Sequence, residues 1–330
     1  MTLRVAVAGA GMIVAHHLPA WQALADVEVV AIADPDRARA QSRADAFGIP
    51  AVFDDPVAML DAVRPDVFDV ASPRQTHADL VRAAAARGID TLCQKPLAPS
   101  YAEAETLIAD VVGRCRLMVH ENWRFRPYYR QVRAWQDEGR IGGITGLSLT
   151  LRSSGFLPDA AGNRPALLRQ PFMAGEQRLM VAETLIHHID TARWLVGDMS
   201  LAAARLQRLV DVCKGETAAS LFFTTPFGAP VYVEGNGACP SWPPAARDHL
   251  DLIGTRASVR FDGHTLTLLG DGPAIEYPHE AAYQACFNAC VAHFVAARQS
   301  GASFETDPAD NLRTLRLVED IYEAAGWPAA

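Results

Sequence analysis

The 330 residues are half hydrophobic and about a fifth charged, the composition of an ordinary globular protein, and the length suits two domains. A net charge of −8 argues against nucleic acid or an anionic membrane as the main partner, and no run is apolar enough to span a bilayer. The strand pattern starts at residue 3, leaving no room for a signal peptide, and the six cysteines are scattered without paired metal spacing, so a reduced, cytoplasmic protein is expected.

Residues 3–8 read as a buried strand that runs into Gly9-Ala10-Gly11-Met12-Ile13-Val14 and then a helical pattern to about residue 25. This is a G-x-G-x-x-V variant of the dinucleotide-binding turn. Gly9 permits the tight bend, and Gly11, with Met12 and Ile13 after it, lets backbone N–H groups approach a pyrophosphate at a helix N-terminus. Val14 stands where a third glycine usually eases helix–strand packing. Methyltransferases and plain turns share the pattern, so context decides. A second strand, 27–33, ends in Asp34, whose carboxylate suits the ribose 2′-hydroxyl of NAD and repels the 2′-phosphate of NADP. The same Asp34-Pro35-Asp36 run can cap the helix near 37–47, and Arg37 and Arg39 offer a 2′-phosphate some compensation. NAD is preferred, with NADP possible.

The βα alternation continues. A strand at 66–71 precedes Ser72-Pro73-Arg74-Gln75-Thr76-His77 and a helix to 87. A strand at 89–93 precedes Gln94-Lys95-Pro96, and a helix at 100–112 leads to a strand at 116–119. Units of this size imply a doubly wound parallel sheet, with ligands beyond the carboxyl ends of the strands, where Gly9, Asp34, Ser72, Pro73, His77, Gln94 and Lys95 fall. His77 reads more readily as a helix-start residue near a cofactor than as a catalyst. Only Lys95 and Lys214 are lysines; the other 28 positive charges are arginine. Lys95 places a compact ammonium, able to donate to an oxygen, at a corner pinned by Pro96. A plain surface lysine after a strand is the bland alternative.

From about residue 122 the rhythm changes, giving expected domains at 1–121 and 122–330. A helix at 128–138 precedes alternating strands at 144–152, 201–210, 218–224, 230–235, 249–253, 258–261 and 265–269, a largely antiparallel sheet with one face free for a partner subunit. Residues 153–179 read as a long loop, and 308–325 as a helix that can pack back on the first domain. The helix at 181–195 places Glu183, His187 and Asp190 at i, i+4 and i+7, on one face. A carboxylate one turn before a histidine can fix its tautomer, and histidine moves protons near neutral pH. An ion-paired structural helix fits equally well. A metal site using Glu183, His187 and His188 fits poorly, because consecutive side chains on a helix point about 100° apart.

Together these stretches resemble the Gfo/Idh/MocA family of sugar and polyol oxidoreductases. The carriers are Gly9-Ala10-Gly11, Asp34, Gln94-Lys95-Pro96, Asn122-Trp123-Arg124-Phe125-Arg126-Pro127, the helix from Glu183 through Asp190 with Trp194, Leu195 and Gly197 behind it, and residues 314–319. The resemblance implies a Rossmann domain followed by an α+β domain with a large open sheet, through which homodimers or homotetramers form. It implies Lys95 and His187 as the catalytic pair, with Glu183 orienting His187 or holding a neighbouring hydroxyl, and no required metal. Asn122 joins the cofactor contacts. A cis Lys95–Pro96 bond is expected, as in many relatives. Two departures stand out: Gln94 replaces the usual glutamate before the lysine, and Glu183 stands where aspartate is common. Trp123, Arg124, Arg152, Arg164 and Arg169 lie on segments able to line a substrate pocket, Trp123 by stacking on a sugar face. The leading activity is oxidation of an aldose at C1 to a lactone, as in galactose- or apiose-type dehydrogenases. Alternatives are an inositol-like secondary alcohol dehydrogenase, a reductase of keto-sugars or imines, a non-catalytic NAD-binding regulator and, more remotely, a Rossmann methyltransferase.

Overall fold

A computed structural model describes residues 2–270 and 272–328. They form two compact units: the chain up to Asn122 with Gln284–Arg313, and Trp123–Tyr283 with the chain from Thr314 onward.

The first unit alternates β1 (Leu3–Ala8), α1 (Val14–Gln22), β2 (Val27–Ala33), α2 (Arg37–Phe47), β3 (Ala51–Phe53), α3 (Pro56–Val63), β4 (Val67–Val70), α4 (His77–Ala85), β5 (Asp90–Gln94), α5 (Tyr101–Val111) and β6 (Leu117–His120). The strands are all parallel, in the order β3-β2-β1-β4-β5-β6. Val5 to Ala8 and all of β4 are buried, as strands covered on both faces must be. Strand order reverses between β1 and β4, and the crevice at such a switch point is where an open parallel sheet takes its ligand. β3 and α3 are absent from the sequence reading: β3 has three half-buried residues at the sheet edge, too few to show a period.

The second unit holds α6 (Pro127–Asp137), β7 (Ile144–Arg152), α7 (Pro165–Arg169), α8 (Ile186–Val196), β8 (Ser200–Gln207), β9 (Ala218–Thr224), β10 (Pro230–Asn236), β11 (Arg247–Gly254), β12 (Ser258–Phe261), β13 (Thr265–Leu268) and β14 (Ala274–Glu276). Eight strands form one mostly antiparallel sheet, β14-β13-β12-β11-β7-β10-β9-β8, in which β7 and β10 pair in parallel. Alternation sets its faces: Val231 and Val233 are fully buried, while Tyr232 between them is exposed and lies opposite exposed Phe222 of β9. Residues 153–179 are a tethered strap, not an open loop. Ser153 and Phe156 N–H groups donate to the Asn236 and Gly237 carbonyls, and Ala166 N–H donates to the Gly155 carbonyl.

The last two helices, α9 (His279–Ser300) and α10 (Pro308–Ala325), each change unit along their length. Phe287 and Phe294 of α9 are buried with His17 and Trp21 of α1, ring centroids 5.6 and 6.0 Å apart. Beyond α9, Thr306 exchanges backbone and hydroxyl hydrogen bonds with Val119 of β6. Chain order alone does not anticipate that residues 284–307 join the first unit, and of the helix expected at 308–325 only the part up to Arg313 belongs to it. No helix among the described residues is long and apolar enough to cross a membrane.

Candidate active site

The glycine turn sits at the switch point. Gly9 has φ +103°, and a Cβ there would stand 2.4 Å from the Ala71 carbonyl oxygen at the end of β4. A Cβ on Gly11 would meet nothing within 4 Å, so the turn is tight on one side and open on the other. Helix α1 begins at Val14 without a side-chain cap; the Ala15 and His16 N–H groups turn back to the Met12 and Ile13 carbonyls, so an anion would be met by the N–H groups of the turn ahead of them. Asp34, nearly buried after β2, accepts the Ala10 N–H at Oδ2 (2.8 Å) and the Asp36 N–H at Oδ1 (2.9 Å). Arg43 of α2, which sequence reading passed over, donates to the Ala10 and Gly11 carbonyls, both at 3.3 Å. The N–H groups of the turn, an open glycine and a carboxylate after β2 fit an NAD cofactor, and Gly9, Gly11, Met12, Ile13, Asp34, Ser72 and Pro73 all lie at this end of the sheet. Arg37 is exposed at the start of α2. Gly9→Ala is expected to cost about 1–3 kcal/mol in backbone strain and carbonyl clash. The loss should appear as weaker NADH binding in a fluorescence titration and a lower Tm; unchanged affinity and Tm would contradict the geometry.

The Lys95–Pro96 peptide is cis, as expected. Lys95 is half-buried, and its backbone N–H donates to Gln94 Oε1 at 2.7 Å. The Gln94 amide nitrogen points to His17 Nε2 at 3.1 Å, while His17 Nδ1 meets the fully buried Asp69 carboxylate at 2.9 Å. Trp21 Nε1 donates to the same carboxylate at 2.7 Å. A carboxylate only accepts, so His17 carries its proton on Nδ1 and presents a lone pair at Nε2, which an amide N–H satisfies. Gln94 thus links the Lys95 backbone to the buried His17–Asp69 pair. His77 is also committed: its ring nitrogens face the Pro96 and Ser72 carbonyls at 2.8 and 2.9 Å, clipping two strand-end loops together from behind. The Asn122 amide nitrogen donates to Cys286 Sγ at 3.1 Å, and the residue is buried. Gln94, His77 and Asn122 each spend a side chain on a tether within the first unit.

In the second unit, His187 lies one residue into α8 and is 7% exposed. The turn before it, Met180–Leu185, which carries Glu183, is π-helical and wider than the 3.6-residue spacing assumes. Buried Glu216 starts this turn by accepting the Leu179 and Val181 N–H groups and the Tyr322 hydroxyl. Burial pushes its carboxyl pKa up against those stabilising bonds. Asp190, expected on the working face, is 1% exposed and takes a two-pronged ion pair from Arg124, Nε at 2.7 Å and Nη2 at 2.5 Å, with Thr314 donating at 3.1 Å. Arg124 is thus a buried structural cation and not a substrate contact.

Trp123 is likewise reassigned. Its ring lies flat against the His187 imidazole, centroids 4.3 Å apart and planes 12° apart, and the Arg126 guanidinium covers its other face at 3.5 Å. With both faces occupied it cannot stack on a sugar. Its indole N–H donates to Asp248 Oδ2 at 2.9 Å. Asp248, buried on β11, also accepts the Tyr128 and Tyr129 hydroxyls (2.7 and 3.1 Å) and, at Oδ1, His188 Nε2 (3.0 Å). Burial opposes its ionisation, but Arg126, His188 and these hydrogen bonds outweigh it and hold the carboxyl far below the usual range. Sequence reading missed Asp248, although it shares strand parity with buried Leu250 and Leu252. Among the described residues no group of three or more His, Cys, Asp or Glu gathers as a metal site. Of the remaining arginines, Arg152 pairs with Glu234 across the sheet at 3.0 Å, Arg164 donates to the Phe156 carbonyl, and Arg169 is exposed at the end of α7. At the start of α9, burial and the charges of Arg247 and Arg126 depress the His279 pKa to about 4, leaving that ring neutral near pH 7.

Comparison with known proteins places this geometry. Residues 3–120 match the oxidoreductase family with an NAD-binding Rossmann fold, and residues 129–260 match the GFO/IDH/MocA C-terminal domain. The chain is 31% identical to a D-apiose dehydrogenase of Paraburkholderia graminis, over 97% of this chain and 87% of that protein. It is 30% identical to a D-apiose dehydrogenase of Rhizobium rhizogenes, over 98% and 95%. A crystal structure of an Agrobacterium radiobacter oxidoreductase in complex with NAD+, L-tartaric acid and magnesium superposes with a TM-score of 0.90 at 28% identity, covering 99% of this chain and 97% of that one. The two units, the glycine turn and the matched residues agree, and the chain belongs to the Gfo/Idh/MocA family of NAD-dependent oxidoreductases.

Proposed function

We propose that this enzyme oxidises an aldose at C1 to the lactone, with Lys95 and His187 acting on the same substrate oxygen. The observation that carries the substrate class is the likeness to two D-apiose dehydrogenases along almost the whole chain. Bound nicotinamide supplies the hydride acceptor, and the protein supplies placement and electrostatics. His187 takes the proton from the C1 hydroxyl as the C1–H bond gives up its hydride and the C–O bond becomes a carbonyl. Lys95 donates a hydrogen bond to that oxygen and stabilises the charge that develops on it. Glu183 orients His187 or binds a neighbouring hydroxyl.

A second reading, oxidation of a secondary ring hydroxyl, has support from an inositol 2-dehydrogenase of Rhizobium meliloti, 26% identical over 97% of this chain. The non-catalytic regulator reading gains little from Gln94, whose side chain links the Lys95 backbone to the His17–Asp69 pair. The exposed Phe222–Tyr232 pair on the large sheet suits assembly into a homodimer or homotetramer. No disulfide is formed among the described residues, in keeping with a reducing, cytoplasmic setting.

A panel of aldoses and polyols with NAD and with NADP, read by absorbance of the reduced cofactor, tests the reading. Turnover of a pentose or hexose with NAD, and lactone as product, is expected. Turnover of cyclitols alone would favour the second reading, and no turnover on any member would overturn both.

A further inference from the structure

Most of the polar groups buried near α8 have an obvious structural partner. Asp248 differs, because one carboxylate collects donors from four aromatic or imidazole side chains on three elements. Trp123 precedes α6, Tyr128 and Tyr129 begin it, and His188 is on α8. Three donors converge on Oδ2 within 3.1 Å, and the imidazole of His188 takes Oδ1. Each carboxylate oxygen has two lone-pair positions, so Oδ2 is shared among three donors while Oδ1 takes the imidazole. Arg126 adds its charge at 3.5 Å and lies over the Trp123 ring.

The consequence falls on two consecutive histidines. His188 is held by Asp248 directly. His187 is held through Trp123, whose indole is fixed at one edge by Asp248 and gripped between the imidazole and a guanidinium. A side chain stacked at 12° on a fixed plane has lost most freedom to rotate about its own χ2, and a proton acceptor works only where its lone pair is aimed.

We propose that Asp248 is a positioning residue for catalysis: by anchoring the Trp123 indole N–H it sets the plane of the His187 imidazole. This rests on the reading of His187 as the base. Asp248 itself lies 3% exposed and touches neither substrate nor cofactor in this role. A purely structural Asp248 would affect how much folded enzyme exists; a positioning Asp248 affects how fast each folded enzyme turns over.

The test uses the full-length enzyme with NAD and the sugar turned over in the panel, with kcat counted per NADH-binding site. Trp123→Phe keeps a flat ring between His187 and Arg126 but removes the tether. Asp248→Asn keeps the shape and removes the charge. Both are expected to lower kcat about 10-fold or more, with KM and NADH Kd within about threefold. The double variant should be no worse than the poorer single one, because both cut the same link. Trp123→Phe also keeps the test alive if Asp248→Asn folds poorly. Unchanged kcat per site in Trp123→Phe, or full additivity of the two losses, would overturn the proposal while leaving the base reading intact, provided His187→Asn is inactive. Full turnover by His187→Asn would overturn the base reading and this proposal with it.

Discussion

Lys95→Met is expected to lower kcat by about 10²–10³-fold, the usual loss on removing one donor to a developing oxyanion, worth about 2.7–4 kcal/mol. Methionine matches the length of the lysine stem but carries neither charge nor donor. The corner should keep its shape through backbone tethers that the substitution leaves in place. The Lys95 backbone N–H binds Gln94 Oε1, and the Pro96 carbonyl faces His77. NADH affinity should therefore stay within a few-fold, which separates lost chemistry from lost folding. Stopped-flow hydride transfer and an NADH titration on the same preparation give both values. Undiminished turnover with NADH still bound would remove Lys95 from the reaction.

The largest stability effect is expected at Arg124. Its guanidinium and the Asp190 carboxylate are 3% and 1% exposed, and the pair is joined by two short hydrogen bonds. Arg124→Ala leaves the buried carboxylate with Arg193, at 3.9 Å and without the two-pronged geometry, and breaking one side of a buried pair costs about 3–5 kcal/mol. Thr314, which donates to the same oxygen and accepts from Arg193, cannot replace the lost charge. The variant should show a clearly lower Tm, or little soluble enzyme. Arg124→Met with Asp190→Leu should recover much of the loss, since a well-packed apolar pair of similar volume is often no worse than a buried ion pair. A single variant as stable as the parent would contradict the pairing.

The sequence speaks clearly where burial is two-sided or a turn needs one residue type. Strands β1, β2 and β4 are mostly apolar, each with a single charged residue (Arg4, Glu28, Asp69), because helices cover both faces of the parallel sheet, and Gly9 is marked because no other residue fits against the Ala71 carbonyl. Helix α9 carries a readable stripe at Cys286, Cys290 and Phe294, but spacing shows only that a face is buried, not which unit covers it. The candidate site was legible in its residue types and less so in its contacts. Lys95 and His187 stand out by scarcity and by helical context. The π-turn ahead of His187 has no sequence period of its own, so its wider winding was not legible. Trp123 was read as a free aromatic surface because nothing local shows that His187 and Arg126 take both faces. Arg124 shows the same difficulty, since its partner lies 66 residues away. Gln94 is an informative case: it looked like a lost carboxylate, and only the fold reveals the His17–Asp69 pair that its amide meets.

A crystal structure of the enzyme with NADH and its sugar substrate tests the central claim most directly. The account predicts that Lys95 Nζ and one His187 ring nitrogen both lie within hydrogen-bond reach, about 2.6–3.2 Å, of a single substrate oxygen on the carbon facing the nicotinamide. Side chains bound to two different substrate oxygens, or either one turned away from the sugar, would contradict it.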